Sequence, residues 1–329
     1  MIEYSLVVPV FNEEESLRIL YGEIVAVAET LSAKIELIFV DDGSTDASWT
    51  IIEELVQKDD RVRGIRFRRN FGKAAALDVG FKAATLPIVM TLDADLQDDP
   101  HEIPDFLRLI DSGYDVVSGW KKTRRDPWHK VLPSRVFNEM VSRLTGVKLH
   151  DHNCGMKCYR REIFDEITLY GELHRFVPVL AASRGYKVGE KVVQHRPRKY
   201  GVSKYGFKRF ATGFLDLLTV KFVTGYGQRP QHLLGTLGLS AFGVGAAALG
   251  WMALRWVVSR LPAIGCGGEY CLSGRPAVVY SAALMLLGTQ LLSVGAIAEL
   301  LVAYQNRKGR EYSVKKTIGR PSKAEEDAD

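Results

Sequence analysis

Charged residues are absent from two long stretches near the end of this 329-residue sequence. Residues 233–254 and 277–298 contain no Asp, Glu, Lys or Arg. A helix of about 20 apolar residues is long enough to cross the hydrocarbon core of a bilayer. Core helices of soluble proteins rarely run this far without a charge. We therefore predict a hairpin of two transmembrane helices, at residues 232–258 and 276–304, rather than a wholly soluble protein.

The N-terminus lacks a basic segment followed by an apolar one, so no cleaved signal peptide is expected. Cations are also scarce between the predicted spans, where residues 259–275 contain only Arg260 and Arg275. The tail at residues 305–329 is basic, and short segments rich in Lys and Arg stay on the cytoplasmic side. We therefore expect a two-span protein of the inner (plasma) membrane, with both termini and the N-terminal domain cytoplasmic and the loop 259–275 outside.

Cysteine is rare, with four in the chain. Cys266 and Cys271 lie in the predicted outer loop, and whether they form a disulfide is left open. The net charge of +5 is too small to indicate a nucleic-acid partner. Cations concentrate before the first predicted span, which favours anionic membrane lipid as a partner. These cations include Lys199, Lys204, Lys208 and Arg209.

Residues 206–222 place apolar side chains at helical spacing with charges between them. A helix packed on a core shows the same pattern, but the position just before the first span favours a helix in the membrane surface. We therefore expect interfacial or juxtamembrane helices at residues 206–231, after a cytosolic domain at residues 1–205. The apolar set is Phe207, Phe210, Ala211, Phe214, Leu215, Leu218 and Phe222.

Short runs rich in Val and Ile alternate with helical patterns in the first 120 or so residues, which predicts an α/β fold. Strands separated by helices pair in parallel, in a doubly wound sheet, and ligands bind beyond the carboxyl ends of such strands. The predicted strands are residues 4–10, 35–40, 62–67, 88–92 and 115–118.

Acidic residues follow three of these strands. The first is followed by Asn12-Glu13, the second by Asp41-Asp42, and the fourth by Asp93-Ala94-Asp95-Leu96-Gln97. Carboxylate and amide oxygens are hard ligands of the kind that hold Mg²⁺ or Mn²⁺ together with substrate phosphates. One acidic loop alone is more often solvated surface or a helix cap, but three at successive strand ends predict a metal–diphosphate site.

These motifs, in this order, resemble the inverting family-two glycosyltransferases, in which strands ending in Val-Pro-x-x-Asn-Glu and Asp-Asp-x-Ser precede Asp-x-Asp. Within that family, Asp-Ala-Asp-Leu-Gln and Arg198-Lys-Tyr-Gly-Val-Ser203-Lys204 are most similar to the dolichyl-phosphate mannosyltransferase and bactoprenol (undecaprenyl-phosphate) glucosyltransferase group. The resemblance covers residues 4 to about 225 and extends to the two spans. It implies a GT-A type, Rossmann-like catalytic domain followed by interfacial helices and the membrane hairpin.

Carried over by motif, the resemblance implies a set of donor-binding residues: Pro9, Val10, Asn12, Glu13, Asp41, Asp42, Lys73, Asp93, Ala94 and Asp95. It implies a Mg²⁺ or Mn²⁺ cofactor held by Asp93, Asp95 and Gln97, and catalytic roles for Asp93, Asp95 and Arg198. Phe11 stands where Tyr is often found, which keeps a stacking surface but removes a hydroxyl.

A lipid phosphate acceptor is already ionised near pH 7, so it needs cationic positioning rather than a general base. The resemblance implies this role for Lys121, Lys130, Ser134, Arg135, Arg198, Ser203 and Lys204. Related enzymes use Arg where this chain has Lys121 and Lys130, and lysine keeps the charge but loses the bidentate fork.

The sequence therefore predicts a glycosyltransferase that moves one hexose, with inversion, from a nucleotide sugar to undecaprenyl or dolichyl phosphate. UDP-glucose is favoured as donor, with GDP-mannose next. Two alternatives stay open, namely a processive polysaccharide synthase, whose Gln-x-x-Arg-Trp element has Met252 in place of Gln here, and a catalytically inactive membrane scaffold. The sequence also leaves open whether the chain forms a homo-oligomer.

Overall fold

A computed structural model of the protein describes residues 2–123, 128–167, 173–196, 217, 219–221, 230–260 and 276–305. The described residues divide into two compact units, the first up to Val220 and the second from Lys221 onward. The loop with Cys266 and Cys271, the basic tail after residue 305 and most of the predicted interfacial segment lie outside the described residues. The side chains of residues 128–133 do so as well.

The first unit is built on one seven-stranded sheet with the order β3-β2-β1-β4-β6-β5-β7. The α/β class predicted from the sequence is confirmed, and each of the five predicted strands is present. The strands are β1 (Glu3–Val10), β2 (Lys34–Asp41), β3 (Val62–Arg66), β4 (Ile88–Thr91), β5 (Val116–Trp120), β6 (Lys157–Arg160) and β7 (Val188–Val192).

Helices cover both faces of this sheet, and two single 3₁₀ turns, Pro100–Glu102 and Leu173–Phe176, precede α4 and α7. The helices of the first unit are α1 (Leu17–Thr30), α2 (Ser48–Lys58), α3 (Lys73–Ala83), α4 (Ile103–Asp111), α5 (Trp128–Thr145), α6 (Ile163–Glu166) and α7 (Val177–Ser183).

The five strands predicted from the sequence all run in the same direction, whereas β6, which was not among them, runs the opposite way. This strand pairs antiparallel with both β4 and β5, whereas β1, β2, β3 and β4 pair in parallel, as do β5 and β7. The cause is where the chain returns to the sheet. Lys157, the first residue of β6, lies opposite Thr91, the last residue of β4. The chain thus enters β6 from the carboxyl edge, and the strand can only run back.

The central strands are buried on both faces, because alternate side chains enter two separate core layers. Along β1, Leu6 and Val8 pack in one layer with residues of α1 and α2, while Val7 packs in the other with residues of α3. All three side chains are fully buried. This packing fixes the carboxyl ends of β1, β2 and β4 side by side, since β1 lies between β2 and β4.

Gly80 allows α3 to approach β1 closely. A Cβ at Gly80 would clash with Val7 Cγ1 and lie 3.4 Å from Val40 Cγ2, both on buried side chains. We expect Gly80→Ala to lower the free energy of unfolding by about 1–3 kcal/mol, the usual cost of overpacking. Gly22→Ala in α1 is the matched control, because its Cβ meets no atom within 4 Å. In thermal unfolding, the melting temperature of Gly80→Ala should be below that of the parent, and that of Gly22→Ala should be equal to it or higher. Equal melting temperatures for the two variants would show that Gly80 is not needed for the close approach of α3 to β1.

The second unit contains two long antiparallel helices, α8 (Pro230–Ser259) and α9 (Pro276–Gln305). Pro230–Ser259 and Pro276–Leu301 are long and apolar enough to cross a bilayer. Only 17% and 11% of the most apolar 18-residue stretches of these two helices are buried. The helices pack closely through glycines, since a Cβ at Gly238 would lie 2.7 Å from the Gly288 carbonyl oxygen. Small residues at such contacts are typical of helix pairs in membranes.

Candidate functional site

A cleft of about 220 Å³ opens at the carboxyl ends of β1, β2 and β4. The strand order places the three acidic segments next to each other, as the strand-end rule predicts. Eight of the predicted donor residues line the cleft, together with Phe11, Asn70 and Gly72. The eight are Pro9, Val10, Glu13, Asp42, Lys73, Asp93, Ala94 and Asp95.

The other two predicted donor residues, Asn12 and Asp41, shape the loops behind the cleft. The Asn12 side-chain carbonyl accepts a hydrogen bond from the Thr45 N–H at 2.8 Å, and the Asn12 N–H donates to Ser44 Oγ at 2.9 Å. Asn12 adopts a positive φ of 55°, a conformation that Asn tolerates better than most residues. Asp41 is fully buried and accepts from the Ser44 N–H at 3.0 Å. These bonds join the loops after β1 and β2 into one wall.

Asp42 ties the start of α3 to the cleft. Its carboxylate accepts hydrogen bonds from the Phe71 N–H at 2.7 Å and the Gly72 N–H at 3.0 Å. Burial raises the pKa of Asp42 above its usual range, although both N–H donors act in the opposite direction. Gly72 has a φ of 95°, which lets the chain turn sharply into α3. Lys73, the first residue of α3, is thereby directed to the cleft.

Asp93, the first residue of the Asp-x-Asp pair, forms an ion pair with Lys73. Burial by itself raises the pKa of the Asp93 carboxyl, but the Lys73 ammonium, with Lys121 and Lys157 further away, outweighs burial and lowers it. Asp93 is therefore ionised at neutral pH. Its carboxylate is half-buried, with 28% of the side chain exposed, so a small ligand in the cleft can reach it.

Gly155 lies directly against the Asp93 carboxylate. A Cβ at Gly155 would lie 2.5 Å from Asp93 Cγ, far inside van der Waals contact. The Gly155 carbonyl accepts a hydrogen bond from Thr91 Oγ1 at 2.7 Å, which fixes the segment before β6 against the end of β4. The orientation of the Asp93 carboxylate therefore depends on a glycine that is distant in sequence.

Lys121 forms a buried ion pair just beyond the acidic segment. Its ammonium lies 2.6 Å from Asp98 Oδ1, and only 14% and 1% of the two side chains are exposed. Burial lowers the pKa of Lys121, but the Asp98 carboxylate more than compensates and the net shift is upward. Lys121 stays charged at neutral pH. It was predicted to hold the acceptor phosphate, and it also lines a second depression.

This second depression is a basic groove of about 900 Å³ beside α5. Lys121, Lys122, Arg135, Arg143 and Lys148 line it, with Glu139 as an acidic member. Two predicted acceptor residues, Lys121 and Arg135, therefore share one surface. Ser134 precedes Arg135 on α5 and is half-buried. Arg198, Ser203, Lys204 and the side chain of Lys130 lie outside the described residues.

Arg196, which was not among the site residues predicted from the sequence, holds the loop after Asp95. Its guanidinium contacts Asp99 Oδ1 at 2.7 Å and Glu23 Oε2 at 2.8 Å. The backbone N–H of Arg196 donates to the Gln97 carbonyl oxygen at 3.0 Å. The chain that leads to Arg198 is therefore attached directly to the Asp-x-Asp loop. The two adjacent carboxylates Asp98 and Asp99 could have indicated from the sequence that a cation binds this loop.

Lys157 is a buried cation behind Asp93. Its ammonium donates to the carbonyl oxygens of His152 at 2.9 Å and Arg175 at 3.4 Å. Burial lowers the pKa of Lys157 to about 8, while the nearby Asp151 and Asp93 carboxylates act against it. Lys157 is only 4% exposed and adds positive charge behind the cleft.

Asp93 and Asp95 fit a divalent ion that binds together with a diphosphate. Both carboxylates line the cleft, and the Gln97 N–H donates to Asp95 Oδ1 at 3.2 Å, so the Gln97 backbone orients Asp95. Among the described residues, no group of three or more His, Cys, Asp or Glu side chains could hold a metal alone. Mg²⁺ usually takes one or two carboxylates and completes its shell with water and substrate phosphates.

Comparison with known proteins agrees with this arrangement. The profile of the family described as Glycosyl transferase family 2 matches residues 5–168. A dodecaprenyl-phosphate galacturonate synthase of Rhizobium johnstonii is 36% identical, over 98% of this chain and 95% of that protein. An undecaprenyl-phosphate 4-deoxy-4-formamido-L-arabinose transferase of Proteus mirabilis is 34% identical, over 98% and 97% of the two chains.

Solved structures show the same fold at low identity. Glucosyl-3-phosphoglycerate synthase of Mycobacterium tuberculosis, in complex with Mn²⁺, UDP and phosphoglyceric acid, has a TM-score of 0.52 and 16% identity. The match covers 68% of this chain and 78% of that one. The GT-A type fold expected from the resemblance is thus confirmed. Identity above 30% over nearly the full length of the two relatives shows that the chain belongs to glycosyl transferase family 2.

Proposed function

We propose that the protein transfers one sugar from a nucleotide donor to a polyprenyl phosphate at the membrane surface. The observation that carries this proposal is the position of Lys121. It is anchored to Asp98 at the end of the Asp-x-Asp loop and also lines the basic groove with Arg135. A donor diphosphate bound beside Asp93 and Asp95 and an acceptor phosphate bound in the groove would meet at this lysine.

The relatives support a lipid phosphate as acceptor. Those from Rhizobium johnstonii and Proteus mirabilis are named for dodecaprenyl phosphate and undecaprenyl phosphate, and both align along nearly all of this chain, α8 and α9 included. A membrane hairpin would confine the enzyme and its lipid to one surface. The cytoplasmic orientation inferred from the charge distribution belongs to the same proposal.

The reaction is a single displacement with inversion. A phosphate oxygen of the lipid attacks the anomeric carbon, the bond from that carbon to the diphosphate oxygen breaks, and the nucleoside diphosphate leaves with the electron pair. Cationic side chains of the groove hold the acceptor phosphate, which is ionised and needs no general base. Lys73 and the start of α3 provide positive charge next to the leaving diphosphate.

A divalent ion bound at Asp93 and Asp95 would neutralise charge on the leaving diphosphate. The Mn²⁺ in the mycobacterial synthase supports this choice for a shared fold, and Mg²⁺ fits the same oxygen ligands equally well. UDP-glucose remains our first choice of donor and GDP-mannose the next. The relatives' names add galacturonate and 4-deoxy-4-formamido-L-arabinose as sugars to be tested.

The test is transfer by the purified full-length protein in detergent or nanodiscs. UDP-glucose, GDP-mannose, UDP-galacturonate and UDP-4-deoxy-4-formamido-L-arabinose are each supplied with undecaprenyl or dolichyl phosphate, and lipid products are identified by mass spectrometry. We expect one polyprenyl-phosphate sugar and an equal amount of nucleoside diphosphate. Undecaprenol without its phosphate is the control and should give nothing. No lipid-linked sugar from any donor, or equal product from undecaprenol, would refute the proposal.

A further inference from the structure

Lys73 makes a contact that conflicts with the role expected of its partner. Its ammonium binds Asp93 Oδ1, an oxygen that would also coordinate a divalent ion. Both side chains are partly shielded, with 30% and 28% exposed. An ion pair in such surroundings has appreciable strength, yet a ligand entering the cleft can still reach it.

An ammonium and a divalent ion on the same carboxylate repel each other, because only a few ångströms separate the two positive charges. Binding of either cation to Asp93 therefore weakens binding of the other. Lysine has a flexible four-carbon stem and three rotatable donors, so its head can move while its Cα stays in place. The donor diphosphate would lie in the same cleft, next to the first turn of α3, and offers the displaced ammonium a new anionic partner.

Two other lysines lie near Asp93, but each is held elsewhere. The Lys121 ammonium is 2.6 Å from Asp98 Oδ1 in a buried pair. The Lys157 ammonium donates to the carbonyl oxygens of His152 and Arg175 and is almost fully buried. Lys73 combines direct contact with Asp93 and access to the cleft.

We propose that Lys73 and a divalent ion exchange on Asp93, and that the displaced ammonium moves to the donor diphosphate. This proposal rests on the proposed function, because it requires a cleft that binds a metal with a nucleoside diphosphate. The exchange couples the two ligands. Without a diphosphate, the divalent ion must compete with the Lys73 ammonium for Asp93. With a diphosphate bound, the ammonium can pair with the diphosphate instead, so the ion and the diphosphate each strengthen binding of the other.

Binding of Mn²⁺ to the full-length protein, measured by electron paramagnetic resonance with and without UDP or GDP, tests this exchange. Lys73→Met removes the competitor, so we expect Mn²⁺ alone to bind about threefold more tightly than to the parent. The same variant loses a diphosphate contact, so Mn²⁺ with nucleotide should bind about tenfold more weakly. Lys73→Arg keeps the charge and should stay close to the parent with Mn²⁺ alone.

Lys82→Met is the matched control, since Lys82 lies on the same helix and pairs with Asp78 at 2.6 Å, away from the cleft. It should leave both affinities unchanged. Opposite shifts in the two affinities of Lys73→Met support the exchange, even if no sugar transfer is found and the proposed function fails. If Lys73→Met binds Mn²⁺ alone as tightly as the parent does, or more weakly, the exchange is overturned. This includes a variant that loses affinity for Mn²⁺ both alone and with nucleotide and also has a lower melting temperature. Failure of the parent to bind nucleotide with Mn²⁺ would overturn both proposals.

Discussion

Asp95→Asn should abolish nearly all sugar transfer while leaving the fold intact. The substitution removes one of the two carboxylates proposed to bind the metal, and with it charge stabilisation of the leaving diphosphate. Loss of a comparable electrostatic contribution costs roughly a thousandfold in kcat, or about 4 kcal/mol of transition-state stabilisation. The asparagine side-chain carbonyl can still accept from the Gln97 N–H, as Asp95 Oδ1 does at 3.2 Å, so the loop conformation should survive.

The measurement is kcat with the preferred donor and undecaprenyl phosphate, over a range of Mg²⁺ and Mn²⁺ concentrations. Asp165→Asn is the control, because Asp165 is 60% exposed and its pair with Arg161 is 3.4 Å long and lies away from the cleft. Its activity and melting temperature should match those of the parent. Asp95→Asn retaining more than about a tenth of the activity would exclude the metal assignment, since the charge would then be dispensable.

Gly155→Ala is expected to reduce transfer about a hundredfold, although Gly155 itself carries no functional group. A Cβ at this position would lie 2.5 Å from Asp93 Cγ and 2.8 Å from Asp93 Oδ1, so the carboxylate must move. A displacement of about 1 Å in a catalytic group is enough for a loss of this size. The effect should appear both in kcat and in the affinity for nucleotide with Mn²⁺, because Asp93 would contribute to each.

The comparison variant is again Gly22→Ala, whose Cβ meets no atom within 4 Å. Both proteins gain one methyl group, so a general effect of the extra side chain cancels. A Gly155→Ala protein with parental kcat would show that Asp93 tolerates displacement. One that merely unfolds at lower temperature, with parental activity at low temperature, would show that Gly155 serves packing and not orientation of the carboxylate.

The sequence alone was sufficient for the parts of the protein that depend on local patterns. Two uncharged runs predicted the long apolar helices α8 and α9, because the length of such a run is itself the physical requirement. Alternating short strands and helices predicted the α/β unit. The rule that ligands bind at the carboxyl ends of parallel strands predicted a common site for Asp42, Asp93 and Asp95, and all three line one cleft.

The tertiary structure decided everything that depends on chain segments far apart in sequence. The reversal of β6 follows from the edge at which the chain re-enters the sheet, which no local periodicity records. That reversal places Gly155 against Asp93, and the turn at Gly72 places Lys73 on the same carboxylate. The sequence predicted Lys121 as an acceptor-binding cation, but it did not predict that Lys121 is buried against Asp98. Residue type and spacing thus identified the acidic segment, whereas its charge partners and orientation arise only from packing.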